Sequence, residues 1–184
     1  MVRKVPAAVQ RSPQQESGRH GARRRNQRKA NQGMQNMSAI NRLWKQQQLP
    51  VKNALYFANG RSWEASLAEA APSGYELANE FSLEEWLIHD PDYVSSFDVT
   101  RELQLPGQQG TLCCGEGSAG ADGFAAHLSN VRELIWVMFL ADSNPIVDIS
   151  RQGKFYRFSS TNGNVLTINI SSPEIPLRSL RISR

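Results

Sequence analysis

Histidine and cysteine are scarce in this chain, and it contains no long apolar run. Of 184 residues, two are cysteine and three are histidine. The cysteines, Cys113 and Cys114, are adjacent, so the CxxC spacing of zinc and redox sites is missing. On an extended strand neighbouring side chains point to opposite faces, and a disulfide between them is strained. Two buried, reduced thiols are expected, which fits a cytoplasmic protein. His20, His89 and His127 have no ligand spacing with one another or with acids, so neither a metal nor a cofactor is expected. The richest apolar stretch, residues 133–141 (ELIWVMFLA), has half of the roughly 18 residues that a membrane-spanning helix needs. A membrane partner is therefore not expected. No apolar run follows the charged N-terminus, which argues against a secretory signal peptide. Its Arg-rich, acid-poor composition suits a mitochondrial presequence, but Pro6, Pro13 and the lack of apolar residues oppose an amphipathic helix.

Charge is present but unevenly placed. Residues 1–33 hold nine Lys and Arg against the single acid Glu16, a net of +8. Residues 34–184 hold twelve against sixteen, a net of −4. The basic stretch has almost no large apolar residue and cannot offset its ordering entropy, so a disordered tail over 1–36 is expected, followed by one domain over 37–184. As an arm, the tail would place Arg19, Arg23, Arg24, Arg25, Arg28 and Lys29 on phosphates, indifferent to base sequence because no aromatic is interleaved. The competing reading is an overextended start, with translation beginning at Met34 or Met37, where the composition changes.

Residues 38–48 (SAINRLWKQQQ) place Ile40, Leu43 and Trp44 at helical spacing. Residues 54–60 (ALYFANG) read as a strand entering a turn. Ser62 is expected to cap a helix through WEASLAEAA that Pro72 and Gly74 stop. Ser82 and Glu85 form a capping-box pair for LEEWLI, halted before Pro91. From residue 94 the period becomes two. In VSSFDVTRELQL the odd positions Phe97, Val99, Leu103 and Leu105 are expected on one face, Arg101 being the exception. GTLCC, GFAAHLS, ELIWVMFLA, PIVDIS, KFYRFSS and VLTINIS follow as further strands. Asn162-Gly163 is the strongest hairpin signal, and residues 151–154 (RQGK) make a second turn. Short connections favour an antiparallel meander, and the doubly apolar ELIWVMFLA should be its covered centre. The expected fold class is α+β: short N-terminal helices packed on a curved, mainly antiparallel sheet of about six or seven strands.

Two motifs invite chemical readings. Gly115-x-Gly117-x-x-Gly120 is a literal dinucleotide-binding fingerprint, with Asp142 where a ribose-binding acid would lie. Pyrophosphate binding needs a helix opening at the third glycine, but Asp122-Gly123 breaks its first turn and Glu116 would repel the phosphates. A loop between strands is the better reading. An esterase elbow at Ser118 needs glycines two before and two after, and Glu116 occupies the first place. His127 is nine residues from Ser118 on an expected strand, which gives no reason for them to meet. His89 beside Asp90 reads as a cap at a helix end. No catalytic residue is expected, and the chain is read as a non-enzyme.

The acids cluster. Glu76, Glu80, Glu84, Glu85, Asp90 and Asp92 fall within seventeen residues that hold no Lys or Arg, interleaved with Phe81, Trp86 and, just beyond, Tyr93. A solvated helix face would look the same. As a binding surface, the acids would steer a basic protein and the aromatics, Trp86 and Tyr93 above all, would anchor it. Reversing Glu84 and Glu85 is then expected to spare folding. The function expected is a protein-binding inhibitor of the immunity or antitoxin kind, neutralising a basic partner such as a toxin domain. The alternative is a nucleic-acid-associated protein with a basic arm on a β-rich core, such as a small coat protein, although paired early helices fit a jelly roll poorly.

Overall fold

The computed structural model describes residues 37–177, so the basic tail, with Arg19, Arg23, Arg24, Arg25, Arg28 and Lys29, lies outside the described residues. The elements run α1 (Ala39–Lys45), β1 (Gln48–Pro50), β2 (Ala54–Phe57), β3 (Arg61–Ala68), β4 (Gly74–Ser82) and α2 (Leu83–His89). They continue β5 (Val94–Gln104), β6 (Thr111–Gly117), β7 (Gly123–Leu128), β8 (Leu134–Leu140), β9 (Ile146–Gln152), β10 (Phe155–Ser160) and β11 (Val165–Ile168). Eight strands form a curled half-barrel in the order β1-β5-β6-β7-β8-β2-β3-β4, and β11-β10-β9 form a second sheet. The pairings are antiparallel throughout.

The class is α+β and rich in sheet, but the strand count and the helices depart from expectation. Among the described residues there are eleven strands in two sheets. Among the described residues the α-helices are two and short, and α2 interrupts the strands instead of preceding them. The stretch expected as a helix after Ser62 is β3, hydrogen-bonded to β2 on one side and β4 on the other. The cause is the turn before it. Gly60 adopts φ +94°, its N–H donates to the Phe57 carbonyl, and Arg61 N–H donates to Asn59 Oδ1. The chain is thereby folded back into a hairpin before a helix can begin, and tertiary pairing overrides helix propensity.

Strand β8 sits near the middle of the large sheet, and its alternate side chains enter two separate cores. Trp136, Met138 and Leu140 face the small sheet, where they meet Ile149, Phe158 and Leu166. Val137 and Phe139 face the helices, where they meet Ile40, Tyr56 and Leu83. Cys113 and Cys114 are divided in the same way, one to each core. Both are free and buried.

Two bulges let single strands serve both cores. In β5, Val99 pairs with Gly115 but Arg101 pairs with Cys114, so Thr100 is an extra residue. An extra residue moves every later side chain to the other face. Phe97 therefore packs on the helix side against Trp44 and Phe124, while Leu103 and Leu105 pack towards the small sheet. The single apolar face expected for this strand is two half-faces. Thr100 Oγ1 donates to the Ile146 carbonyl at 2.7 Å, which ties the start of β9 to the large sheet. In β4 the register slips between the pairs Leu77–Ala65 and Glu80–Trp63. Tyr75 and Leu77 then belong to the sheet-side core and Phe81 to the helix side.

Candidate functional site

Helix α2 begins where Ser82 Oγ accepts a hydrogen bond from Glu85 N–H at 3.2 Å, satisfying one of the orphan amides of its first turn. Glu84 and Glu85 lie in that turn, where the helix dipole favours negative charge. Leu83 is buried, and Trp86 and Leu87 are half-buried on the helix-side core. The other side of the helix, Glu84, Glu85, Ile88 and His89, faces solvent.

The structure assigns different work to the six acids. Glu84 is committed locally: its carboxylate accepts from the Ala39 amide at 2.7 Å and from the Arg42 guanidinium at 2.6 Å. It thus supplies the N-terminal cap that Ser38 does not, because the Ser38 hydroxyl donates to the Ala58 carbonyl instead. Reversing Glu84 removes the tie between the helices, so the Glu84/Glu85 double reversal no longer qualifies as a change neutral to folding. Glu80 pairs with Arg61 at 3.3 Å, and that guanidinium also lies over the Trp63 ring. Glu76, Glu85, Asp90 and Asp92 are exposed and form no ion pair among the described residues.

Beside these acids stand apolar side chains in water. Ile88 is 76% exposed and Tyr93 57% exposed, and Tyr93 meets the half-buried Trp86 edge to face at 6.0 Å between ring centroids. A shallow depression lined by Asn59, Arg61, Glu80, Phe81, Ser82 and Glu85 joins the end of β4 to the start of α2. The eight acidic and aromatic positions therefore lie along one path, from the edge strand β4 through α2 into the loop before β5.

The two motifs with chemical readings are accounted for by the hairpin. Gly115 and Gly117 lie within β6, and the chain turns through Gly120 straight into β7, so no helix N-terminus faces these glycines. A methyl group at Gly115 would run into the Asp98 carbonyl and the Phe124 ring. Gly115 and Gly117 are there for close packing, and Gly120 for the turn, at φ +71°. Ser118 Oγ shares a hydrogen bond with Ser95 Oγ at 2.8 Å, whereas His127 Nε2 contacts the Gln109 carbonyl at 2.7 Å. His127 pairs with Leu112, five residues back along β6 from Gly117, or roughly 17 Å at the strand rise. Burial lowers the His127 pKa, while the Gln109 and Ile170 backbones oppose the shift. His89 is exposed at the end of α2. Among the described residues no three His, Cys, Asp or Glu side chains are placed to hold a metal ion. No helix among them is long and apolar enough to cross a membrane.

One feature had no signal in the sequence. The Tyr75 hydroxyl donates to the Pro173 carbonyl at 2.7 Å across 98 residues of chain, bringing residues 174–177 alongside β4. A groove of about 860 Å³ forms there, walled in part by Trp63, Tyr75, Leu77 and Glu174. Comparison of the chain with protein-family models, with curated proteins and with solved structures gives no match in any of the three.

Proposed function

We propose that this protein is a non-enzymatic, cytoplasmic inhibitor of the immunity or antitoxin kind, which binds and neutralises a basic protein through α2 and the loop that follows it. The observation that carries the reading is the exposure of Ile88 and Tyr93 among Glu85, Asp90 and Asp92. Apolar anchors ringed by unpaired charge of one sign suit a partner of the opposite sign: the acids steer the encounter and the anchors hold the complex. The test starts from the partner captured by the full chain in lysate of the cells that make it. The triple variant Glu85→Lys, Asp90→Lys, Asp92→Lys is expected to slow association at least about tenfold and to flatten its salt dependence. Ile88→Ser is expected to shorten the lifetime of the complex instead. Equal rates for wild type and the triple variant would overturn the surface.

A second reading is favoured by the segregation of charge, +8 in residues 1–33 against −4 in the rest. In it the tail holds nucleic-acid phosphates. Full-length protein then binds any duplex or single strand at low salt and releases it steeply as salt rises, while a variant with Arg19, Arg23, Arg24, Arg25, Arg28 and Lys29 changed to glutamine does not bind. Equal binding by both removes the arm.

A further inference from the structure

We propose that the groove along the outer edge of β4 binds an extended basic peptide segment, with one arginine or lysine side chain seated against Glu174. The site does not depend on the α2 surface, since the groove lies at the other end of β4. Strand β4 ends the large sheet, and its outer edge has no partner strand among the described residues. Such an edge offers unpaired backbone donors and acceptors to an incoming strand. The bulge past Leu77 interrupts the edge, so pairing is confined to the first part of the strand, where the groove is.

The chemistry of the groove selects a cation. Glu76 and Glu174 line it, and among the described residues no lysine or arginine does. Glu174 Oε2 is buried and has no hydrogen-bond partner among the described residues. A buried carboxylate oxygen without a donor is costly, and the nearby Tyr75 hydroxyl has already given its proton to the Pro173 carbonyl. Glu174 as a whole is half-buried and lines the groove, and a donor with positive charge suits its carboxylate. Leu77, Pro176 and Leu177 supply apolar surface for the methylene stem of a long basic side chain. A second copy of this chain fits badly, because its own β4 would bring Glu76 and Glu80 towards like charges.

The probe is a capped peptide alternating arginine and valine, titrated into the full chain while backbone amide resonances are followed. Shifts are expected at Tyr75, Glu76 and Leu77 and around Glu174. Glu174→Gln should weaken binding at least about tenfold, as expected when a charge-assisted hydrogen bond is lost. Glu85→Gln should leave it unchanged, which separates this groove from α2. A peptide with glutamine in place of arginine should not bind, and this control needs no change to the protein. Four results would overturn the proposal. They are an unchanged affinity for Glu174→Gln, shifts confined to α2, and a self-associated chain that the peptide dissociates. The fourth is a tighter complex when Arg178, Arg181 and Arg184 are changed to glutamine, for then the chain's own end fills the groove.

Discussion

Strands β8 and β4 belong to the same sheet and are built by opposite rules. β8 has a strand on each side and a layer over each face, so nearly every side chain in it is buried, Ile135 being the exception. β4 has one neighbour in the sheet and a bulge, buries Tyr75 but only half-buries Leu77 and Phe81, and carries Glu76 and Glu80 into solvent. In a closed position the sequence has only packing to satisfy. At an edge it must also keep unpaired backbone groups from unwanted partners, and charges and bulges do that. The acids of β4 thus have a structural purpose before any partner arrives. Asp90 and Asp92, in the loop after α2, lie outside the strands and form no ion pair among the described residues.

The comparison breaks first, if it breaks at all, at Trp136. Its ring is 1% exposed and its Nε1–H donates to the Ile170 carbonyl at 3.0 Å. Trp136→Ala is expected to cost about 3–5 kcal/mol in urea unfolding. Its neighbour Ile135, 37% exposed, should lose far less as alanine. Similar losses at the two positions would mean that β8 is not covered on both faces. A smaller effect separates the acids from one another. Glu84→Ala is expected to cost about 1 kcal/mol through the loss of a cap and an ion pair. Glu76→Gln should fall within about ±0.5 kcal/mol, and thermal melts of the pair decide whether Glu84 alone is structural.

The smallest effect is a pH dependence on the closed side. His127, on β7 beside β8, has its pKa lowered chiefly by burial. The unfolded chain therefore takes up a proton on this ring before the folded chain does. Stability is full above about pH 6.5 and declines as pH falls from there through the folded-state value. Denaturant midpoints of wild type and His127→Gln should converge towards acid. A difference independent of pH would show that His127 is not held neutral.

The same contrast explains what could be read in advance. A doubly covered strand writes a solid apolar run, and ELIWVMFLA identified the sheet's centre directly. The meander from β5 to β8 and the Asn162-Gly163 turn were legible because short connections and a positive-φ glycine leave few alternatives. Strand β3 was hidden by helix formers in WEASLAEAA, although Asn59-Gly60 before it is the same dipeptide. Both turns have the same bonds: the glycine amide donates three residues back, and the next amide donates to the asparagine Oδ1. Strand β4 was hidden by its bulge, since Tyr75, Leu77 and Phe81 share a parity in sequence but not a face. Of the candidate surface, the acids and aromatics were visible as a cluster, but the Arg42 and Arg61 partners come from other elements and were not.

Cys113 and Cys114 give the molecule two internal reporters one peptide bond apart. Burial pushes the first thiol up to about 12 and the second to about 11, so neither offers appreciable thiolate while the layers stay shut. Alkylation of either must wait for an opening, and the two wait for different ones: Cys113 for the helices to lift, Cys114 for the small sheet to part. With each cysteine left alone in turn, labelling rates would show whether the two sides of a single sheet breathe together or apart.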